Sequence, residues 1–290
     1  MILIAAMSYG FLSVMVKLAL DAGVDVLPLA AWRFVLAAAT VWLLLAARRR
    51  PIPRLEAWPA LAGLGLLYAI DSLAYVAALQ WVPAATAVLL FYVYPVVVVL
   101  LAAVFLGERL TPHKLAATAI AIVGCALTVG AGMAGGHALG FGLVVFAMLA
   151  LSAYILVSRP LMAVLPGHGS AAVTLSATAV ILTVVALVFD DLSLGGGRRG
   201  LVLVIAISIM STALPITLFL IGLRHVGAGR AAVLSTIEPV VTVLLAAVVL
   251  GERIGPLQVV GGSLILTAIL WLRTERPLPE RETPTPLDAA

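Results

Sequence analysis

Long apolar runs alternate with short polar breaks along almost the whole chain. Stretches such as LAAATVWLLLAA (36–47) and PVVVVLLAAVFL (95–106) show neither the two-residue alternation of a half-buried strand nor a charged helical face. The breaks are brief: DAGVDVLP, RRRPIPRLE, QWVP, GERLTPHK, GAGMAGGH, RPLMAVLPGHG, DDLSLGGGRR, RHVGAGR and GERIGP. A hydrocarbon core about 30 Å thick takes roughly 20 residues of helix at 1.5 Å each. On that basis the pattern predicts ten spans, at residues 1–20, 28–47, 57–79, 84–106, 113–131, 138–158, 171–189, 200–222, 231–250 and 256–272. A barrel strand needs only about half that length and alternates polar with apolar positions, so helices are the expected element. The reading is an all-α membrane protein of ten transmembrane helices. The opening residues MILIAAM carry no basic flank, and the first span is expected to be retained as a mature helix.

Composition sharpens this picture. Of 290 residues, 64% are apolar and 10% charged, and the mean hydropathy is +1.23. A soluble domain carries about 25% charged residues, so this chain lacks the charge to cover itself in water. The excess of basic over acidic groups is scattered in the breaks and does not form a nucleic-acid patch. With the N-terminus inside, one side of the membrane collects Arg48, Arg49, Arg50, Arg54, Arg109 and Lys114 among others, whereas the opposite side has Lys17, Arg198, Arg199 and Arg253. This bias predicts both termini in the cytoplasm of a bacterial-type inner membrane. Cys125 is the single cysteine, which excludes an internal disulfide.

The most specific signal is a duplication. PVVVVLLAAVFLGERLTP (95–112) aligns without gaps to PVVTVLLAAVVLGERIGP (239–256), with 14 of 18 positions identical at an offset of 144. The register continues upstream, where Leu79, Val82, Ala84 and Ala87 meet Leu223, Val226, Ala228 and Ala231. The copies fall five spans apart, and an odd separation turns the second upside down. The expected organisation is therefore two inverted five-helix repeats, 1–131 and 138–272, with a linker at 132–137 and a cytoplasmic tail at 273–290. Such symmetry supports alternating access around a site near the midplane.

Two five-helix halves, each with a proline-led apolar helix ending in Gly-Glu-Arg, resemble the drug/metabolite transporter superfamily in its EamA-type ten-helix branch. Ser8-Tyr9-Gly10, Lys17 and Trp32-Arg33-Phe34 share in that resemblance, which covers residues 1–272. It implies a secondary transporter that exports small polar metabolites, most often amino acids, aromatic or other neutral ones among them, with proton coupling a candidate. It also implies a cavity lined by helices one, three, four, six, eight and nine. Export of drugs or lipophilic cations is the alternative, and a membrane-embedded transferase the alternative of a different class. Transferases need paired acids or a histidine-carboxylate arrangement, so no enzyme activity is expected.

Few polar groups interrupt the spans, and these are the candidates for substrate binding or coupling. Asp71 and Glu238 are the carboxylates well inside them. A charge at the bilayer centre costs about 2.5–3.5 kcal/mol on insertion scales and needs a partner or a water-filled cavity. Lys17 and Arg33 are candidate partners of Asp71, in which case its role would be structural. Glu238 directly precedes Pro239, and the repeat matches Tyr94 and Pro95 to this pair. Pro95 and Pro239 are expected to bend their helices and open carbonyls toward one cavity. Tyr68, Asp71, Ser72 and Tyr75 follow the spacing i, i+3, i+4, i+7, which makes one polar stripe that is either helix-packing glue or a cavity wall. Tyr9, Tyr92, Tyr94 and Tyr154 complete the candidates on the helices that the resemblance implies. Glu108-Arg109 and Glu252-Arg253 read as local ion pairs or caps. No metal, cofactor or nucleotide motif is present in the sequence, the histidines lack ligand spacing, and the protein is expected to be a monomer or weak dimer in contact with lipid.

Overall fold

The computed structural model describes residues 1–106, 111–132, 137–218 and 237–272. Among these, all regular secondary structure is helical. The first Gly-Glu-Arg motif, the upstream partners 223–231, most of the linker and the tail lie outside the described residues.

The helices are α1 (Ile2–Gly10), α2 (Leu12–Asp21), α3 (Val26–Arg48), α4 (Trp58–Ala78), α5 (Ala84–Phe91), α6 (Tyr94–Leu106), α7 (Pro112–Gly132), α8 (Ala138–Val164), α9 (Gly167–Phe189), α10 (Gly197–Ser208), α11 (Ile237–Val249) and α12 (Pro256–Leu272). Seven stretches are long and apolar enough to cross a membrane: Ile2–Asp21, Val26–Arg48, Leu55–Ala78, Ala84–Phe105, Ala138–Ser158, Gly167–Phe189 and Gly197–Leu218. The apolar helices Pro112–Thr128, Ile237–Val249 and Pro256–Leu272 are shorter. Exposed apolar side chains on α9 at Val180, Val184 and Leu187 share one face, as expected of a helix flank that meets lipid.

Packing joins the N-terminal part of the chain to the C-terminal part. The α3 helix lies along α9, α4 against α8 and α9, α6 against α8, α7 along α12, α1 and α5 against α11, and α10 against α2 and α3. Small residues allow the closest approaches. A Cβ at Gly124 of α7 would stand 2.7 Å from the Gly261 carbonyl oxygen of α12, and one at Gly10 of α1 would stand 2.8 Å from Val241 on α11. In lipid, close backbone contact of this kind supplies the van der Waals attraction that water would otherwise drive.

Three spans are interrupted, one of them beside Pro95, where a bend is expected. Phe11 separates α1 from α2, and Tyr92–Val93 separate α5 from α6. At the second break Pro95 has no N–H for the Phe91 carbonyl, and Val93 and Val96 bond three residues back, to Leu90 and Val93. The third is a π-helical turn, Ile209–Ala213, that continues α10. Pro215 explains it similarly: the Ser211 carbonyl has lost its usual donor, and the Thr212 hydroxyl donates to the Ile207 carbonyl at 3.1 Å.

Candidate functional site

The α4 stripe points into the interior. Asp71, Ser72 and Tyr75 are buried, and Tyr68 is half-buried. Each finds a different neighbour. Tyr68 stacks on Tyr154 of α8 with ring centroids 5.4 Å apart, and Phe34 of α3 meets its edge. Ser72 accepts a hydrogen bond from Arg33 Nη1 at 3.1 Å. The Tyr75 hydroxyl and Ser13 of α2 share a hydrogen bond at 2.9 Å, and the Tyr75 ring packs 4.8 Å from Phe91.

Arg33 is the residue that organises this cluster. It is 3% exposed, lies beside the Phe34 ring, and donates from Nε to the Thr212 hydroxyl at 2.9 Å. Thr212 reaches it because the π-helical turn redirects the end of α10. Arg33 and Asp71 interact electrostatically but form no direct ion pair, and Asp71 Oδ1 is buried without a hydrogen-bond partner. A buried guanidinium held by two neutral hydroxyls, with an unsatisfied carboxyl oxygen nearby, leaves both groups with capacity for a ligand.

A second part of the cluster lies where α5, α6 and α11 meet. The Tyr92 hydroxyl donates to Glu238 Oε2 at 2.8 Å. Tyr92 packs against the half-buried Tyr94, which in turn faces Phe91, so an aromatic series links Glu238 to Tyr75. Ser152 of α8 reaches the Tyr94 carbonyl at 3.4 Å, and the Thr242 hydroxyl bonds the Gly10 carbonyl at 2.9 Å. That close crossing brings Tyr9 of α1 within electrostatic range of Glu238, Arg33, Tyr68 and Tyr154. Pro95 and Pro239 sit in the first turns of α6 and α11, and the residues just before α11 lie outside the described residues.

Lys17 stands apart from this cluster. Of the two candidate partners of Asp71 it is the one that points elsewhere: its Nζ lies 3.9 Å from Glu252 Oε1, just past the end of α11. Glu252 is not tied to Arg253 by a local pair either. Its two oxygens accept from the backbone N–H groups of Ala84 at 2.7 Å and Ala85 at 3.0 Å, capping α5 across 168 residues of sequence. Gln258 adds a second tie, bonding Thr86 at 2.7 Å. Matching depth along two helices does not fix the direction in which a side chain points, which is why Lys17 and Asp71 look compatible in the sequence. The sequence marks Arg33 only as a possible counter-ion and does not single out Thr212 or Ser13. Ser-Thr ahead of Pro215 in an apolar run was the available signal for the first of these hydroxyls.

Among the described residues no group of three or more histidine, cysteine or acidic side chains could hold a metal ion. The sequence signature of the EamA-like transporter family matches residues 1–130 and 138–274. A probable terminal-alkyne amino-acid exporter of Streptantibioticus cattleyicolor is 33% identical over 224 residues, 73% of either chain. An uncharacterized transporter of Archaeoglobus fulgidus is 29% identical over 222 residues, covering 72% of this chain and 74% of that one. One solved crystal structure superposes with a TM-score of 0.62 at 25% sequence identity, over 92% of this chain and 96% of its own. The two-part family match and the multi-pass apolar helices agree, and this chain belongs to the EamA-like transporter family.

Proposed function

We propose that this transporter exports amino acids by alternating access, with the substrate held between Arg33 and Asp71. The observation that carries the reading is the buried Arg33 beside the unsatisfied Asp71 Oδ1. A zwitterion supplies both missing partners: its carboxylate suits the guanidinium and its ammonium suits a carboxylate. The stacked Tyr68 and Tyr154 rings offer a flat apolar wall for a neutral or aromatic side chain. The amino-acid export activity named for the Streptantibioticus cattleyicolor relative is consistent with this class of substrate. A lipophilic cation is the poorer fit, because Arg33 would lie buried beside it.

The same reading takes residues 1–131 and 138–272 as inverted five-helix repeats, ten spans in all, with a linker between and a cytoplasmic tail after them. Support comes from helix pairing as well as from the 14 identities. If the halves are exchanged, the α3–α9 and α7–α12 pairs map onto themselves, α4–α8 maps onto α2–α10, and α6–α8 maps onto α1–α11. Pairing that survives the exchange is what a two-fold axis in the membrane plane requires. The charge bias supports a bacterial-type inner membrane with both termini inside. Glu238, bonded to Tyr92, is the candidate for carrying a proton through the cycle, and Tyr9 and Tyr94 flank its route.

Counterflow in proteoliposomes tests the substrate class. Labelled neutral amino acids should exchange, whereas the matching amines and carboxylic acids, each lacking one charge, should not. Exchange of the amines alone would overturn the reading. Glu238→Gln should retain counterflow and lose its dependence on pH; unchanged pH dependence removes Glu238 from coupling.

A further inference from the structure

A cavity lies away from the central cluster, at the end of the fold where α3 finishes and α9 begins. It has a volume of about 70 Å³ and is lined by Val41, Leu45 and Ile216 on its deep side and by Arg48, Arg50 and His168 at its mouth. That is room for several water molecules. Among the described residues that line it none is acidic.

Local structure explains why these groups converge. The chain leaves α3 at Arg49, which adopts a left-handed conformation (φ 46°), and turns back over the start of α9. Gly169 permits this, since a Cβ there would stand 2.6 Å from the Pro51 carbonyl oxygen. Arg50 is thereby set beside His168 in the first turn of α9, a 23-residue helix whose N-cap, Pro166, offers no side-chain cap. Two guanidinium groups and the N-terminal end of a long helix all favour an anion at the same point. Beside the mouth, Leu43 and Leu44 of α3 are exposed, so an apolar track runs from the basic rim toward the middle of the span.

We propose that this cavity binds the phosphate of an anionic phospholipid, with an acyl chain laid along the Leu43–Leu44 flank of α3. A free phosphate would use the basic rim alone, whereas a lipid uses rim and flank together. Charge complementarity selects an anionic headgroup over a zwitterionic one. The position of the rim at the end of α3 and the start of α9 sets it at the depth of headgroups. The bound lipid would bridge α3 and α9, which belong to different halves of the chain.

The test uses the full-length protein in neutral detergent, with phosphatidylglycerol, phosphatidylcholine of the same acyl chains, and inorganic phosphate as probes. Retention is read by native mass spectrometry and stabilisation by thermal melting. An arginine near a membrane surface is worth about a fivefold preference for anionic lipid, so the two together give about 25-fold. Phosphatidylglycerol should therefore be retained over phosphatidylcholine by about that factor, and R48Q/R50Q should bring the two close to parity. R49Q/R54Q removes equal charge from arginines outside the cavity and should keep most of the preference. Equal retention of both lipids in the unmodified protein would overturn the proposal. So would an equal loss in R49Q/R54Q, which would mean a diffuse basic surface. Stabilisation by inorganic phosphate matching that of phosphatidylglycerol would overturn the lipid assignment.

Discussion

Glu252 and Asp71 are both half of a pattern that joins the two parts of the chain, yet their oxygens are treated in opposite ways. Just past the C-terminal end of α11, both Glu252 oxygens accept backbone N–H bonds from α5, and Lys17 adds a partial charge partner. In the central cluster, Asp71 Oδ1 accepts nothing while Arg33 bonds to hydroxyls. Buried polar groups are satisfied in nearly all native structures, and each exception calls for a cause. A saturated carboxylate is a structural tie. On the reading proposed above, an unsatisfied one beside a guanidinium held by hydroxyls is where substrate binds. The difference would then separate residues that hold the two parts of the chain together from residues that act between them.

The largest expected effect comes from the centre. Arg33→Gln removes the charged donor of two buried hydrogen bonds, to Thr212 and Ser72, and hydrogen bonds to a charged group are worth roughly 1.5–3 kcal/mol. Proteoliposome exchange should fall by at least about a hundredfold, with a clear loss in thermal melting. Exchange within a few-fold of the unmodified protein would make Arg33 a packing residue, and the contrast with Glu252 would collapse. Next in size is the cap. Glu252→Ala exposes the two α5 N–H groups and should lower stability by roughly 1–2 kcal/mol. Transport per folded molecule should survive, because Glu252 touches none of the cluster. Loss of transport without loss of stability would move Glu252 into the functional group.

Asp71→Asn sharpens the comparison further, because here the two readouts should diverge. An amide retains the shape and removes a charge that lacks a hydrogen-bonded partner, so melting should be unchanged or raised. Exchange should fall about tenfold, equivalent to about 1.4 kcal/mol of substrate interaction. Melting that falls in step with exchange would mean that Asp71 is a structural acid after all.

What could be read in the chain follows the range of the interaction. The apolar runs and the i, i+3, i+4, i+7 stripe on α4 depend on residues close in sequence, and the stripe faces the interior as that spacing predicts for a single helix face. The Pro95 break is similarly local, since one missing N–H frees one carbonyl. The bond between Tyr92 and Glu238 spans 146 residues, and Arg33 reaches Thr212 across 179. No helical periodicity encodes those distances. The Gly-Glu-Arg motif marks the intermediate case. Its repetition is plain in the sequence, and a cap is one of its two natural readings, but the helix that Glu252 caps belongs to the other half.

The smallest effect lies outside the spans altogether, in the α9–α10 connection. Asp191 accepts hydrogen bonds from the Ser193 backbone N–H and hydroxyl, and these hold its carboxyl below the ordinary aspartate range of about 3.9. Both bonds favour the charged form. The stabilisation they give is therefore complete above the ordinary pKa and is lost as pH falls through the depressed value. Ser193→Ala removes the hydroxyl and keeps the backbone donor, so the carboxyl should titrate nearer its ordinary value without reaching it. A carboxyl-carbon titration of aspartate-labelled protein measures this directly. Since Asp191 is fully exposed, exchange rates and melting at neutral pH should stay unchanged, whereas substitutions at Arg33 and Asp71 lower exchange. A change in exchange would tie this loop to transport, and satisfied carboxylates would no longer be a guide to which acids are structural.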